Sequence, residues 1–592
     1  MAQAGELRRR PIHEKEAGAG DASRDLANGS LDDNEKKKEP VIVKRALWKA
    51  APLPTLEVLF YLAFWVGHVA FSFYAVYRLS QERKYALLGD KKLDKSMYFG
   101  IFYPSKFARN RWYRDKVDTE WNHFAKAFAH RLAPMLLHVL VFNVTHSRAM
   151  QTTGARQHAG RLVYMAFAYV AYSYTHASTT ILPLYFLCSF LVIAICKKLR
   201  STLPAWFAVT LILLLLIFPD RINYMFPDYF ETTTALRWRI KLYPKDLKLP
   251  ANVIFSLLTY NLLKWVSFCG DMLEKEGADE ARLPLWRNCY NFAAYALYMP
   301  YSEVLIVLYN DYRRQLDARL DRTLEWRRCA LLCVRLLFWA AVYELLLHHV
   351  YAWTFMKDVD EVKRVGRMTA ASIGYVSGQM FMVKYTILFG YHIFFAKLDR
   401  MEPPQNAICI SRVSLYTRIW RYFDVGLYRF LKARVYIPII KGTEAFGTGK
   451  RISLRLCGIC LTFFAVWVWH GSNWASAFWV GLNVMEVVLE RVFHAYYKEG
   501  SQFKLWADAN LSPANQRRVL ALAQVPLVLM GIFGIWFFLG SADTGMEFFD
   551  RFIIQDMFRL NYRFLYVVLL GYCFSQVNME IDRRFGVPKI DF

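Results

Sequence analysis

The chain has 592 residues, with 75 Lys and Arg against 49 Asp and Glu for a formal net charge of +26, and 55% of its residues are hydrophobic. Aromatics reach 17% and charged residues only 21%, below the ~25% charge of soluble domains, and the apolar residues fall in runs between short basic or turn-rich stretches. That excludes a disordered scaffold, a collagen, a coiled coil and a string of soluble domains, and leaves an all-α polytopic membrane protein.

Residues 1–50 are polar and nearly free of aromatics, too poor in apolar surface to offset their ordering entropy, so they read as a disordered tail. The basic cluster Lys36, Lys37, Lys38, Lys44, Arg45 and Lys49 predicts that this tail is cytosolic. The first apolar run, Val58–Tyr77, begins too deep in the chain for a cleaved signal peptide and is long enough to span. Further candidate spans are Leu132–Val144, Leu162–Tyr174, Thr179–Cys196, Ala205–Phe218, Val253–Cys269, Cys289–Tyr309 and Cys329–Tyr351. Ser372–Ala396, Leu454–Trp469, Ala477–Leu489, Val519–Leu539 and Phe564–Val577 complete the set. Several are too short to cross alone and suit re-entrant or tilted helices, giving about ten to twelve in all. Between them, Ser411–Ile440 mixes Arg, Tyr, Trp and Asp with apolar residues at helical spacing, the pattern of an interfacial amphipathic helix. No internal repeat is visible.

Ionisable groups within a membrane domain are costly, so each is a candidate functional residue. His470 ends a wholly apolar span in Trp467-Val-Trp469-His470-Gly471-Ser472-Asn473-Trp474. A neutral imidazole there can accept a proton from an attacking hydroxyl or amine, with tryptophans excluding water. An interfacial histidine in an aromatic belt fits the same residue types. Asp424, in Trp420-Arg421-Tyr422-Phe423-Asp424, could orient an acceptor or simply pair with Arg421. Glu57, Glu344, Lys384, Glu486 and Glu490 lie within or beside apolar runs and are expected to pair internally or snorkel, with lining a cavity as the alternative. Cys457-Gly-Ile-Cys460 has the C-x-x-C spelling but sits inside a span, where cysteine behaves as a small hydrophobe. Cys409 lies in a connecting segment, available for ligation or acylation. No nucleotide loop, zinc motif or serine elbow is present. The positive charge is spread along loops, as for contact with anionic lipid rather than nucleic acid.

The segments Val383-Lys-Tyr-Thr-Ile-Leu-Phe-Gly390, Leu398-Asp-Arg-Met-Glu-Pro-Pro404, Trp420-Arg-Tyr-Phe-Asp-Val-Gly-Leu427, Val435-Tyr-Ile-Pro438 and Trp469-His470-Gly471 recur in order. Together they resemble the membrane-bound O-acyltransferases, in particular the branch holding hedgehog acyltransferase and the glycerol-uptake proteins. The resemblance implies a bundle around a central reaction chamber over residues 51–592, with a catalytic core at about 370–490. It implies His470 as catalytic base, Asp424 as a second catalytic residue, and Trp420, Arg421, Trp469 and Asn473 as substrate-binding. It further implies acyl-CoA as co-substrate with no cofactor required for the chemistry, and Cys409 as a haem ligand. Placement in the endoplasmic reticulum membrane follows from the same likeness. Tyr298-Met-Pro300 lacks the Gly-Pro that usually follows it, and Pro438 lacks the usual Gly-Gly, departures that bear on the acceptor. The favoured acceptor is a lyso-glycerolipid or lyso-GPI hydroxyl; the alternative is the N-terminal Cys of a secreted protein. A small-solute transporter is the rival class, and the missing duplication of halves speaks against it.

Overall fold

Where the apolar runs stop being helical, a proline, a buried polar group or a tight turn accounts for the break. The computed structural model describes residues 50–90, 92–94, 113–176, 181–217, 251–274, 278–443 and 446–586. The polar N-terminal segment and its basic cluster lie outside these residues, apart from Ala50.

In chain order the main helices are α1 (Thr55–Gly89), α2 (Thr119–Thr145), α3 (Gly154–His176), α4 (Ile181–Leu199), α5 (Leu203–Ile217) and α6 (Ala251–Leu273). There follow α7 (Leu285–Ala296), α8 (Tyr309–Ala318), α9 (Trp326–His349), α10 (Arg367–Leu398), α11 (Tyr416–Tyr422) and α12 (Val425–Leu431). The C-terminal set is α13 (Thr448–Trp469), α14 (Trp474–Tyr496), α15 (Gln502–Asn510), α16 (Pro513–Ile535), α17 (Ala542–Phe549) and α18 (Tyr562–Phe585). The only strand pairing among the described residues is the two-residue bridge of Leu93–Asp94 with Arg114–Asp115.

Among the described residues six helices are long and apolar enough to cross a bilayer alone: Thr55–Gly89, Leu182–Leu199, Trp326–His349, Gly449–Trp469, Pro513–Gly540 and Tyr562–Phe585. A seventh is the bent pair Thr119–Phe128 and His130–Thr145, kinked by 60°. Pro134 explains the kink, because its ring clashes with the carbonyl four residues earlier and it has no N–H to donate. The remaining expected spans are shorter or carry buried charge. Large apolar side chains point outward, as Leu331, Val334, Leu337 and Phe338 do on α9. The helix α10 is the reverse: most of its length is buried, so it is the bundle's central post.

Two expectations change. Cys289–Tyr309 is not one span: α7 stops at Ala296, a 3-10 turn covers Met299–Tyr301, and α8 begins at Tyr309. Pro300 and the Ser302 hydroxyl, which donates to the Ala296 and Tyr298 carbonyls, fix that break. Nor is Ser411–Ile440 one interfacial helix. It is broken at Phe423 and Asp424, where the Asp424 side chain caps the next helix.

Buried polar groups hold the bundle together. Arg114 grips Glu344 with Nε at 2.9 Å and Nη2 at 2.8 Å, and Trp121 Nε1 donates to the same carboxylate at 2.7 Å. Arg517 reaches Glu580 at 2.8 Å, and Arg518 Nε reaches Glu57 at 2.9 Å. Asp399, wholly buried, accepts from His138 Nε2 and Tyr298 Oη, both at 2.8 Å, and from Asn143 Nδ2 at 3.1 Å. Glu57, Glu344, Lys384 and Glu490 are therefore paired as expected, Glu490 through Thr417 and His494. Glu486 is not. It is wholly buried, and neither carboxylate oxygen has a partner.

Candidate functional site

His470 sits at the bend between α13 and α14, and the local sequence dictates that bend. His470 caps α13; the Gly471 N–H bonds the Val468 carbonyl at 3.2 Å and the Ser472 N–H bonds the Trp467 carbonyl at 3.1 Å. This closes the helix end with the paired bonds of a Schellman turn, which needs a left-handed residue after the cap. Gly471 supplies it, with φ of +92°. Asn473 then starts α14 by accepting the Ser476 N–H at 2.8 Å. Its Oδ1 is thus engaged in capping the turn, and its Nδ2 is not part of that cap.

The turn places His470 among packed aromatic rings. Its ring lies edge-on to Trp479 at 5.0 Å and to Phe538 at 5.4 Å, and those two stack at 4.2 Å. Trp420 packs 5.7 Å from Trp479 and 4.9 Å from Phe463, and its Nε1 donates to Asn483 Oδ1 at 2.8 Å. Trp469 meets the Tyr260 ring of α6 at 5.2 Å. On the other side Phe538 contacts Phe381 of α10 at 5.3 Å, and Phe381 stacks on Phe423 at 5.6 Å. Phe423 is the neighbour of Asp424, whose carboxylate shares the electrostatic surroundings of the Tyr260 hydroxyl with Glu120. The bundle therefore draws together Trp469 and His470 with Trp420 and Asp424, two segments some fifty residues apart in sequence.

Lying just past the end of its span, His470 is pushed down to about 4 by burial, so at neutral pH the imidazole carries no charge and keeps a lone pair for a proton. Burial pushes the Asp424 carboxyl up to about 6, against the opposing pull of the Leu427 and Gly426 N–H groups. Asp424 Oδ1 accepts the Leu427 N–H at 2.9 Å, and Gly426 is forced by the fold: a Cβ there would sit 2.2 Å from the Ile306 carbonyl oxygen. Arg421 does not bond to Asp424. Its guanidinium stands over the Tyr428 ring at 5.8 Å, with Nε buried and unpartnered. Cys409 is an exposed thiol at the start of a 3-10 turn near Tyr375 and Arg412. Among the described residues no group of three or more His, Cys, Asp or Glu could hold a metal ion. The Cys409 thiol stands exposed at its turn, and acyl transfer needs no haem there.

Sequence reasoning missed Trp479, Asn483, Tyr260 and Phe538. The polar Asn483 four residues after Trp479 on an apolar helix was the available signal; Tyr260 and Phe538 gave none, since apolar-span aromatics are ubiquitous.

These features define a polytopic helical membrane protein with a histidine set among packed aromatic rings. Residues 128–533 match the model of MBOAT, the membrane-bound O-acyltransferase family, and the chain belongs to that family of acyl-transferring enzymes. It is similar to protein-cysteine N-palmitoyltransferase Rasp of Drosophila melanogaster, 27% identical over 281 residues, which are 47% of this chain and 54% of that protein. It is also similar to protein-cysteine N-palmitoyltransferase HHAT of Mus musculus, 24% identical over 550 residues, 90% of this chain and 100% of that protein. A third relative, the HHAT-like protein of Mus musculus, is 27% identical over 179 residues, 30% of this chain and 34% of its own. The chain thus spans about half the length of Rasp and the whole of HHAT.

Proposed function

We propose that the protein transfers a long-chain acyl group from acyl-CoA to the amino group of an N-terminal cysteine on a protein acceptor. The observation that carries this is the activity for which its relatives are named, protein-cysteine N-palmitoyl transfer. A cysteine's nitrogen lies inside a peptide bond unless the residue is first in its chain, so N-acylation of cysteine selects an N-terminus. This moves the reading away from the lipid hydroxyl favoured on sequence, and toward its alternative. The site lies in the endoplasmic reticulum membrane, with the N-terminal tail cytosolic.

In this reading the acceptor nitrogen attacks the thioester carbonyl; a C–N bond forms and the C–S bond breaks. His470 takes the proton from nitrogen and returns it to the departing CoA sulfur, so the products are the amide and free CoA thiol. Asp424 orients the nitrogen from beside Tyr260, while Trp420, Trp469, Trp479 and Phe538 exclude water that would hydrolyse the thioester. Arg421 directly follows Trp420 of that wall. Haem at Cys409 has no role in these steps.

The test is acyl transfer from labelled acyl-CoA in microsomes, with lipid and protein fractions separated. His470→Ala is expected to lower labelling of protein by about a hundredfold or more, the usual contribution of a positioned base. Equal labelling by a normally expressed variant would make the histidine structural. Label lost from the lipid fraction alone would return the lyso-lipid reading.

A further inference from the structure

The bend at His470 fixes where the imidazole starts but not how its plane is turned. The N–H groups of Gly471 and Ser472 are spent on closing α13, and the ring can still rotate about its bond to Cβ, a torsion with only a broad, two-fold preference. A general base is commonly oriented by a third group that hydrogen-bonds its far nitrogen. Among the described residues no side chain hydrogen-bonds either imidazole nitrogen of His470, so packing has to set the plane.

The rings that do so are Trp479 and Phe538. The imidazole stands 5.0 Å from Trp479 with an interplanar angle of 86°, and 5.4 Å from Phe538 with an angle of 85°. Those two rings stack on each other at 4.2 Å and 25°. The three centroid distances put the imidazole beside the stacked pair, at right angles to both members. Perpendicular contact is a favoured geometry for aromatic rings, and each such pair is equivalent to roughly a two- to twelvefold preference. Turning the imidazole out of its plane gives up both contacts together.

The stacked pair is itself fixed from behind. Phe538 lies in a wide π turn, Trp536–Gly540, that follows α16, a form frequent at functional sites. Its two neighbours are pinned: Trp536 stacks on Phe548 at 4.7 Å, and Phe537 stacks on Phe478 at 5.0 Å. Gly545 leaves Phe537 its space, since a Cβ there would lie 2.4 Å from that ring. Trp479 is backed by Trp420 at 5.7 Å and by Gly534, whose Cβ would touch the indole at 3.4 Å.

We infer that Trp479 and Phe538 are positioning residues, which orient His470 by perpendicular ring contacts in place of a hydrogen-bonded partner and leave both imidazole nitrogens to the substrates. This rests on His470 as the base in the reading above. Excluding water asks only for the bulk of these rings. Orienting the base asks for a flat ring at a right angle, which an aliphatic side chain of similar size does not supply.

The test uses the full-length protein purified in nanodiscs, with palmitoyl-CoA and a synthetic peptide that begins with a free cysteine. Phe538→Leu is expected to lower kcat by roughly three- to tenfold, the loss of one ring contact, while KM for both substrates stays within about twofold. That split marks an interaction that acts on the chemical step rather than on binding. Phe538→Tyr keeps the ring and should keep kcat within about twofold. The deciding measurement is a cycle with His470→Ala: residues that act as a unit are non-additive, so adding Phe538→Leu to His470→Ala should leave the residual rate unchanged within about twofold. Stabilisation by palmitoyl-CoA in a thermal melt shows that each variant is folded; if Phe538→Leu is not, Phe538→Met takes its place in the cycle. An unchanged kcat, a change confined to KM, a Phe538→Tyr as slow as Phe538→Leu, or the same fold loss with and without His470 overturns the proposal. A His470→Ala variant as fast as wild type overturns the base reading instead, and this proposal with it.

Discussion

Replacing Asp399 by alanine tests whether the buried network behind the chamber is what holds the core segments together. Asp399 has no exposed surface and accepts from Tyr298 Oη, His138 Nε2 and Asn143 Nδ2, while Arg319 Nε bonds its backbone carbonyl. After the substitution Asn143 Nδ2 keeps the Val139 carbonyl at 2.8 Å. The Tyr298 hydroxyl and His138 Nε2 lose their acceptor. Two orphaned buried groups at ~1–3 kcal/mol each give about 2–6 kcal/mol, in line with the ~3–5 kcal/mol for breaking a buried charged pair. Tyr298→Phe removes one donor and leaves Asp399 its other two, so its cost should be only about 0.5–1.5 kcal/mol. Thermal melts of the detergent-solubilised variants, read by loss of monodisperse protein, give the order directly. Equal melting of Asp399→Ala and wild type, or equal losses for Tyr298→Phe and Asp399→Ala, would refute the reasoning.

Gly426→Ala should abolish acyl transfer and lower the yield of folded protein, because its Cβ would stand 2.2 Å from the Ile306 backbone oxygen. Gly481→Ala, with nothing within 4 Å of its Cβ, should melt at or slightly above wild type; a similar loss in both would sink the steric argument. Asp424 is raised to about 6 by burial, so its negative form is lost as pH falls through that value. The rate should fall with it below pH ~6, and Asp424→Asn, which can still cap its helix, should be slow at every pH and lack this limb. A wild-type rate flat from pH 5 to 7, measured with a fixed fraction of deprotonated peptide amine, would show that the charge on Asp424 is irrelevant. The Glu486 carboxyl is buried without a partner, so Glu486→Gln should leave melting unchanged or raise it, by the rule that unpaired buried acids do not stabilise; a marked fall in melting temperature would reveal a partner for that acid.

The helical class, the longest spans and the place of His470 at a helix end were legible because each is a local property: run length, residue type at a span end, and a glycine where a helix must reverse. The central position of α10 was not, since Ser372–Ala396 reads like any lipid-facing run. Its burial depends on which helices surround it, and that is a long-range fact. The same holds for Tyr298 and Asp399, two residues picked out through separate motifs whose hydrogen bond spans 101 positions of sequence. The split of Cys289–Tyr309 escaped a hydropathy reading because a turn built on Pro300 and Ser302 is as apolar as a span. The capping by Asn473 was not read from the sequence, because an asparagine after a glycine serves a helix start and a polar contact alike.

The pairing of Glu57 with Arg518 joins the first helix to the sixteenth across 461 residues, and Tyr61 and Tyr572 pack beside it at 5.5 Å. At the ribosome's pace of about 5–20 residues per second, α1 waits roughly 20–90 s before α16 and α18 exist to receive it. Throughout that interval its end carries a carboxylate with no counter-charge and a flank with no neighbour. The newborn chain must therefore be sheltered by the insertion machinery until its last fifth has been made. Truncations near the C-terminus should consequently be cleared as unfinished protein even though they retain every residue of the chamber.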